Sequence, residues 1–216
     1  DRDATTVSDP VPDYAEDLKK DLKGIKIGVP KEYFDVEGMD EEVRKITRKK
    51  IEELKKLGAK VIDVSLPYTK YALAVYYIIV PSEDSSNLGR LDGVRYGARE
   101  DEKNLYDLYA RSRSVGFPEE VKRRILIGTY ALSAGYYDAY YKKEQKVRTL
   151  IRQDFDRVFT EVNALITPAS PFPAFGIGEK SADPMALYLA DILVSAAGCG
   201  GIPGLSIPAG KTKAGL

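Results

Sequence analysis

Arg124, at the end of a basic run and one turn into the apolar helix that continues ILIG, and Asp191, the one charge in the otherwise apolar LYLADILVSAAG, carry opposite charges. A guanidinium one turn into a helix can grip a carboxylate through two parallel hydrogen bonds. A carboxylate on an apolar segment needs a cationic partner, and a ligand ammonium is one candidate. If both line one pocket, they form the charge pattern that reads a zwitterion such as an amino acid. Tyr76 and Tyr77 lie between apolar residues and carry hydroxyls that seek partners. Each of these residues also has a plainer reading. Arg124 belongs to the basic run Lys122, Arg123, Arg124, which suits a surface. Asp191 could serve a salt bridge within the protein, and the two tyrosines could simply pack the core.

Other chemistries are closed off. The chain has no histidine, so it contains no Ser-His-Asp or Cys-His arrangement and no imidazole metal ligand. Its single cysteine, Cys199, excludes an internal disulfide and a cysteine metal cluster, and its Gly/Ala surroundings suit a small buried side chain. Gly200, Gly201 and Gly204 are not followed by the Lys-Ser or Lys-Thr of a phosphate loop. We expect no metal site and no cofactor in the chain. Formal net charge is zero, which argues against a protein devoted to the nucleic-acid backbone. Lys142, Lys143, Lys146, Arg148 and Arg152 form a basic run, expected to be a solvated helix face balanced by Glu144 and Asp154. The longest apolar run is too short for a bilayer, and no secretory segment is visible. A reduced cytoplasmic setting follows as the simplest expectation.

The elements that must position these residues read as α/β. A helix is expected from Tyr14 to Lys23. Ile25 to Val29 reads as a buried strand. Asp40 is a good N-cap, Val43, Ile46, Ile51, Leu54 and Leu57 give a helical stripe, and Gly58 fits the C-cap. Ala59 to Val64 reads as a second strand, completing a parallel unit with a right-handed crossover. Tyr68 to Asn87 reads as a helix interrupted near Pro81. Leu88 to Lys103 reads as loop, and Asn104 to Arg113 as a short helix with Leu105 and Leu108 on one face. A long helical region is expected from Glu119 to about Val162. It includes Lys122 to Leu150 and five tyrosines, which suit packing between layers or the wall of a polar pocket. Ala164 to Thr167 reads as a short strand. Asp183 and Pro184 start another helix, which carries Asp191 and ends near Gly198. Leu205 to Ile207 reads as a last strand. The expected fold is a mixed sheet flanked by helices. The missing initial methionine and the Gly-rich end suggest a piece of a longer protein, cut at both ends.

Several segments together resemble one family. GVPKEYF at Gly28, SSNLGRLDGVRYG at Ser85, KRRILIGTYALSAGYYDAYYKKEQKVRTLI at Lys122, ITPASPFPAFGIGEK at Ile166 and DPMALYLADI at Asp183 look like the A subunit of aspartyl/glutamyl-tRNA amidotransferases, within the amidase signature family. The likeness covers essentially the whole chain, as the C-terminal part (1–216) of a single amidase-type domain. It implies the amidase signature fold and a glutaminase that uses a serine nucleophile, a second serine and a lysine base. It also implies an ATP- and Mg-using partner B subunit that amidates misacylated Glu-tRNA(Gln) or Asp-tRNA(Asn), and a small C subunit. The Ser-Ser-Lys half is absent, and DRDATT at Asp1 looks like the stretch after it. Ser82, Ser85 and Ser86 do not match the nucleophile, so no catalytic residue is assigned. By resemblance Arg124 holds the glutamine α-carboxylate, Asp191 the α-amino group, and Tyr76 (or its neighbour Tyr77) stands near the substrate. AAGCGGIP departs from the family's Asn-Leu-Ala-Gly-Leu-Pro run, with Gly198 at the asparagine position. The expected function is the substrate-binding half of a glutamine amidase. The alternatives are a non-catalytic interaction module, or a fragment of a general small-amide amidase.

Overall fold

Strand β1 (Lys26–Pro30) is buried along four of its five residues, so both of its faces are covered. It pairs in parallel with β2 (Lys60–Val64), with Ile27 opposite Val61 and Val29 opposite Asp63. On its other edge it pairs in parallel with β3 (Ala164–Leu165), giving the order β2-β1-β3. The fold is α/β, with one sheet and flanking helices. All pairings among the described residues are parallel, and none of them makes the sheet mixed as expected. The structure is a computed structural model that describes residues 6–16, 21–179 and 190–216.

Helix α1 (Glu41–Lys56) makes the crossover between β1 and β2, and its ends follow from local chemistry. The Asp40 carboxylate accepts from the Glu42 and Val43 N–H groups at 2.7 and 3.1 Å, satisfying two orphan donors. The same residue's N–H donates to the Pro171 carbonyl, pinning the Pro-rich loop to the helix start. At the other end Gly58 adopts φ 101°, which admits glycine with little strain.

After a 3-10 turn at Pro67–Tyr71 comes α2 (Ala72–Asn87), and after a loop α3 (Leu105–Gly116), α4 (Glu119–Leu132) and α5 (Tyr141–Phe159). A short α6 (Ser195–Gly200) follows β3. Ile151, Phe155 and Val158 of α5 join Val29, Phe34, Leu66 and Val75 in one core. Each such side chain contributes about 1.5–3 kcal/mol of burial energy. Asp154 is buried beside them. Its carboxylate accepts the Tyr68 N–H at 2.9 Å and an Arg157 N–H at 3.2 Å, so α5 fixes the entry to α2.

Several sequence expectations change. Pro81 does not interrupt α2, which runs unbroken for 16 residues. Pro81 has no N–H to give to the carbonyl of Tyr77, while the buried Ser82 hydroxyl donates to the Ile78 carbonyl at 2.6 Å. The long region from Glu119 is two helices, because Ser133–Tyr140 forms a turn with Gly135 at φ 87°. Leu205 to Ile207 is not a strand; it has no ladder partner among the described residues, and both terminal side chains are exposed. Leu105 is exposed while Leu108 is buried, because α3 presents its first turn to solvent. The basic run is not uniformly solvated. Arg148 is half-buried and donates to the Cys199 carbonyl at 2.8 Å, and Asp154 serves the core rather than a charged face. Cys199 is buried, as expected, and burial pushes its thiol pKa up. Part of the helix expected at Tyr14 to Lys23, and the start of the one expected from Asp183 to near Gly198, lie outside the described residues; in the described remainder of the second, residues 191–194 form a turn ahead of α6, so Asp191 stands on a turn and not inside a continuous helix.

Candidate functional site

The α2–α4 seam is set by backbone contact. A Cβ placed on Gly128 would meet the Pro81 carbonyl oxygen at 1.9 Å, so only glycine lets the helices come this close. One turn earlier on both helices Arg124 faces Tyr76 and Tyr77. The contacts advance the same way along each helix, Tyr77 to Arg124 and Pro81 to Gly128, so α2 and α4 run side by side in one direction. The loop and α3 make the crossover between them.

Arg124 is held from several sides. Its Nε donates to Glu120 Oε1 at 3.1 Å, and its Nη1 donates to the Tyr76 hydroxyl at 3.5 Å. The guanidinium carbon stands 5.7 Å from the Tyr77 ring centroid, within cation–π range. Hydrogen bonds to Tyr76 and Glu120 hold the guanidinium protonated more firmly than usual, against the cost of its burial. Its side chain is only 24% exposed. Tyr76 and Tyr77 meet edge to face at 5.0 Å.

Asp191 approaches from the other side of Tyr77. The Tyr77 hydroxyl donates to Asp191 Oδ2 at 3.3 Å. Burial raises the Tyr77 pKa well above its ordinary value, and the Asp191 charge raises it further. The Asp191 carbonyl accepts from the Val194 and Ser195 N–H groups and from the Ser195 hydroxyl, which anchors this backbone at the start of α6. Among the described residues Asp191 has no cationic partner, whereas Arg124 already has Glu120.

The structure therefore brings all three expected residues to one place, with Tyr77 as the bridge. Tyr76 contacts the arginine and Tyr77 contacts the aspartate. Opposite charges are kept apart by an aromatic ring instead of neutralising each other. Such an arrangement can receive a ligand carboxylate at one end and an ammonium at the other. Ser82 and Ser85 do not join it, because their hydroxyls donate to helix carbonyls. Two contributors escape sequence reading. Glu120 carries a visible signal in its i,i+4 spacing to Arg124, whereas Gly128 carries none beyond being a glycine inside a helix.

A separate hollow of about 220 Å³, lined by Glu32, Tyr33, Lys70 and Leu193 among others, includes none of Tyr76, Tyr77, Arg124 and Asp191. No group of three or more Cys, Asp or Glu side chains is placed to hold a metal among the described residues. Likewise, none of the described helices is long and apolar enough to cross a membrane.

The pattern of the family described as Amidase matches residues 1–216. The chain is 57% identical over all of its 216 residues to the A subunit of the glutamyl-tRNA(Gln) amidotransferase of Myxococcus xanthus (strain DK1622), and spans 44% of that protein's length. It is similar to the crystal structure of the A subunit of the Thermotoga maritima glutamyl-tRNA(Gln) amidotransferase, with a TM-score of 0.65 and 38% identity, covering 94% of this chain and 40% of that one. A bacterial aryl acylamidase of the amidase signature enzymes shares the fold at 18% identity, with a TM-score of 0.53, over 74% of this chain and 30% of that one. On this footing the chain belongs to the amidase family.

Proposed function

We propose that this chain is the glutamine-binding part of the A subunit of a tRNA-dependent amidotransferase, the C-terminal portion of a single amidase-type domain. Arg124 holds the α-carboxylate of glutamine, Asp191 holds the α-ammonium, and Tyr76 and Tyr77 wall the space between. The observation that carries this reading is that Asp191, half-buried, lacks a cation among the described residues while sharing Tyr77 with Arg124. A buried carboxylate wants an opposite charge, and an amino acid supplies it together with the carboxylate that suits Arg124. The likeness to two amidotransferase A subunits supports the same reading.

In the proposed reaction water replaces the side-chain amide nitrogen, giving glutamate and ammonia. The hydrolytic Ser-Ser-Lys set belongs to the part of the family's domain that this chain does not include, and no residue here is assigned to it. Ammonia would pass to a B subunit that uses ATP and Mg to amidate misacylated tRNA, with a C subunit completing a cytoplasmic assembly. The charge pair favours this over a general small-amide amidase, since an apolar amide would leave both charges without a partner.

The test is a titration of the 216-residue chain with L-glutamine, followed by ligand-observed NMR. Saturable binding is expected, and Arg124→Ala should weaken it by about tenfold or more, the scale of a lost charge-assisted hydrogen bond of about 1.5–3 kcal/mol. A folded chain that binds no glutamine overturns the reading. In a second arm these residues replace their counterparts in the full-length Myxococcus protein. Ammonia release that survives Arg124→Ala unchanged would remove Arg124 from the site.

A further inference from the structure

Glu120 stands in the first turn of α4, one helical turn before Arg124. Its two carboxylate oxygens are divided. Oε1 takes the Arg124 Nε at 3.1 Å, and Oε2 takes an Nη of Arg123 at 2.7 Å. The Glu120 side chain is 44% exposed, so the pair adds little to stability. Its effect on geometry is larger. An arginine side chain carries about 2 kcal/mol of rotamer entropy, which is lost when it is held for a planar contact. Binding Nε removes much of that freedom before any ligand arrives and leaves the Nη end toward Tyr76. Among the described residues Nη2 carries no protein acceptor.

We propose that Glu120 is a positioning residue that holds Arg124 by its Nε, so that the Nη end is presented to a ligand carboxylate. The proposal deepens the amino-acid reading above and rests on it. Glu120 makes the pocket discriminate for the carboxylate specifically, leaving recognition of the ammonium at Asp191 untouched. Glutamine and 4-aminobutanamide, which is glutamine without its α-carboxylate, separate these two effects. The neighbouring Glu119 gives an internal control. It carries the same charge in the same turn but pairs with Lys122 and does not reach Arg124. Both carboxylates suit the helix N-terminus equally.

The experiment measures dissociation constants of both ligands for the full-length Myxococcus protein carrying these residues in place of their counterparts, by ligand-observed NMR, with thermal unfolding of each variant. Glu120→Ala is expected to weaken glutamine about tenfold and 4-aminobutanamide less than about twofold, a loss of discrimination of about five- to tenfold, or about 1.0–1.4 kcal/mol. Glu120→Gln keeps an oxygen for Nε and should retain most of the discrimination. Glu119→Gln should leave the ratio of the two constants unchanged. An unchanged ratio in Glu120→Ala, or an equal fall for both ligands, overturns the positioning role. A parent protein that is folded and binds neither ligand overturns the amino-acid reading, and this proposal with it.

Discussion

Two regions of this molecule are rich in tyrosine, and they use it differently. In the α2–α4 seam Tyr76 and Tyr77 are half-buried, and each hydroxyl meets a charged side chain, Arg124 or Asp191. At the end of α4 and in the turn after it, Tyr130, Tyr136 and Tyr140 meet mainly one another, with centroids 4.3 to 6.1 Å apart, and all three are exposed. Nearby, Tyr141 donates to Glu83 at 2.7 Å and ties α5 to α2. The five-tyrosine stretch is the louder signal in the sequence, yet the two quieter tyrosines have the partners that a small charged ligand needs. What a hydroxyl touches, more than how many rings gather, separates a pocket wall from packing.

The comparison breaks most sharply at Gly128. A methyl there would collide with the Pro81 carbonyl oxygen, a backbone atom that cannot swing aside. Gly128→Ala should cost about 1–3 kcal/mol or more through overpacking. Calorimetry should then record a melting point several degrees lower, at about 2–4 °C per kcal/mol for a chain of this size. Because Arg124 lies one turn away on the same face, glutamine binding should fall with it. Unaltered melting and binding would mean that the seam is looser than the contact implies. Asp191→Asn comes next. It keeps the shape but removes the charge, so glutamine should bind about tenfold more weakly, in line with about 1.5–3 kcal/mol for a hydrogen bond to a charged group. Equal affinity in wild type and variant would show that the ammonium is read elsewhere. Tyr77→Phe removes one hydroxyl while keeping the ring between the charges. A loss of about 0.5–1.5 kcal/mol is expected in the same titration, with Tyr136→Phe as the silent counterpart in the other region.

The β1–α1–β2 unit is legible in the sequence because its signals are local. Asp40 caps through its own side chain, the apolar stripe repeats within one helix, and Gly58 ends it. The seam is legible only in its parts. Asp191 stands out as a charge in an apolar run and Arg124 only as the last of a basic run, but their meeting across Tyr77 joins α2, α4 and the approach to α6, and no local pattern encodes that. The break at Ser133–Tyr140 escapes the periodicity although Ser133 and Gly135 mark it, because apolar spacing continues on both sides. Pro81 misleads in the opposite direction. Its lost hydrogen bond is one bond in a helix that packs along its length, and tertiary contact outweighs it. Asp154, which is buried, resembles a surface counter-charge in the sequence because its partner, the Tyr68 N–H, lies 86 positions away.

The smallest expected effect tests whether the tyrosine turn is as self-contained as its contacts imply. Hydrogen bonding with Tyr136 pushes the Tyr130 phenol from its ordinary 10.0 up to about 12, with desolvation and the neighbouring phenols adding to the shift. A raised phenol pKa means that the folded chain holds this proton more tightly than the unfolded chain. The resulting stabilisation is complete below pH 10 and is lost as pH rises through about 12. Tyr136→Phe removes the hydrogen bond, so Tyr130 should titrate closer to 10, read from ring-carbon NMR shifts of labelled tyrosine. Glutamine affinity should not move, since neither ring touches Arg124, Tyr76, Tyr77 or Asp191. If the titration shifts and binding shifts with it, the two tyrosine regions are coupled through α4, and the division between pocket wall and packing fails.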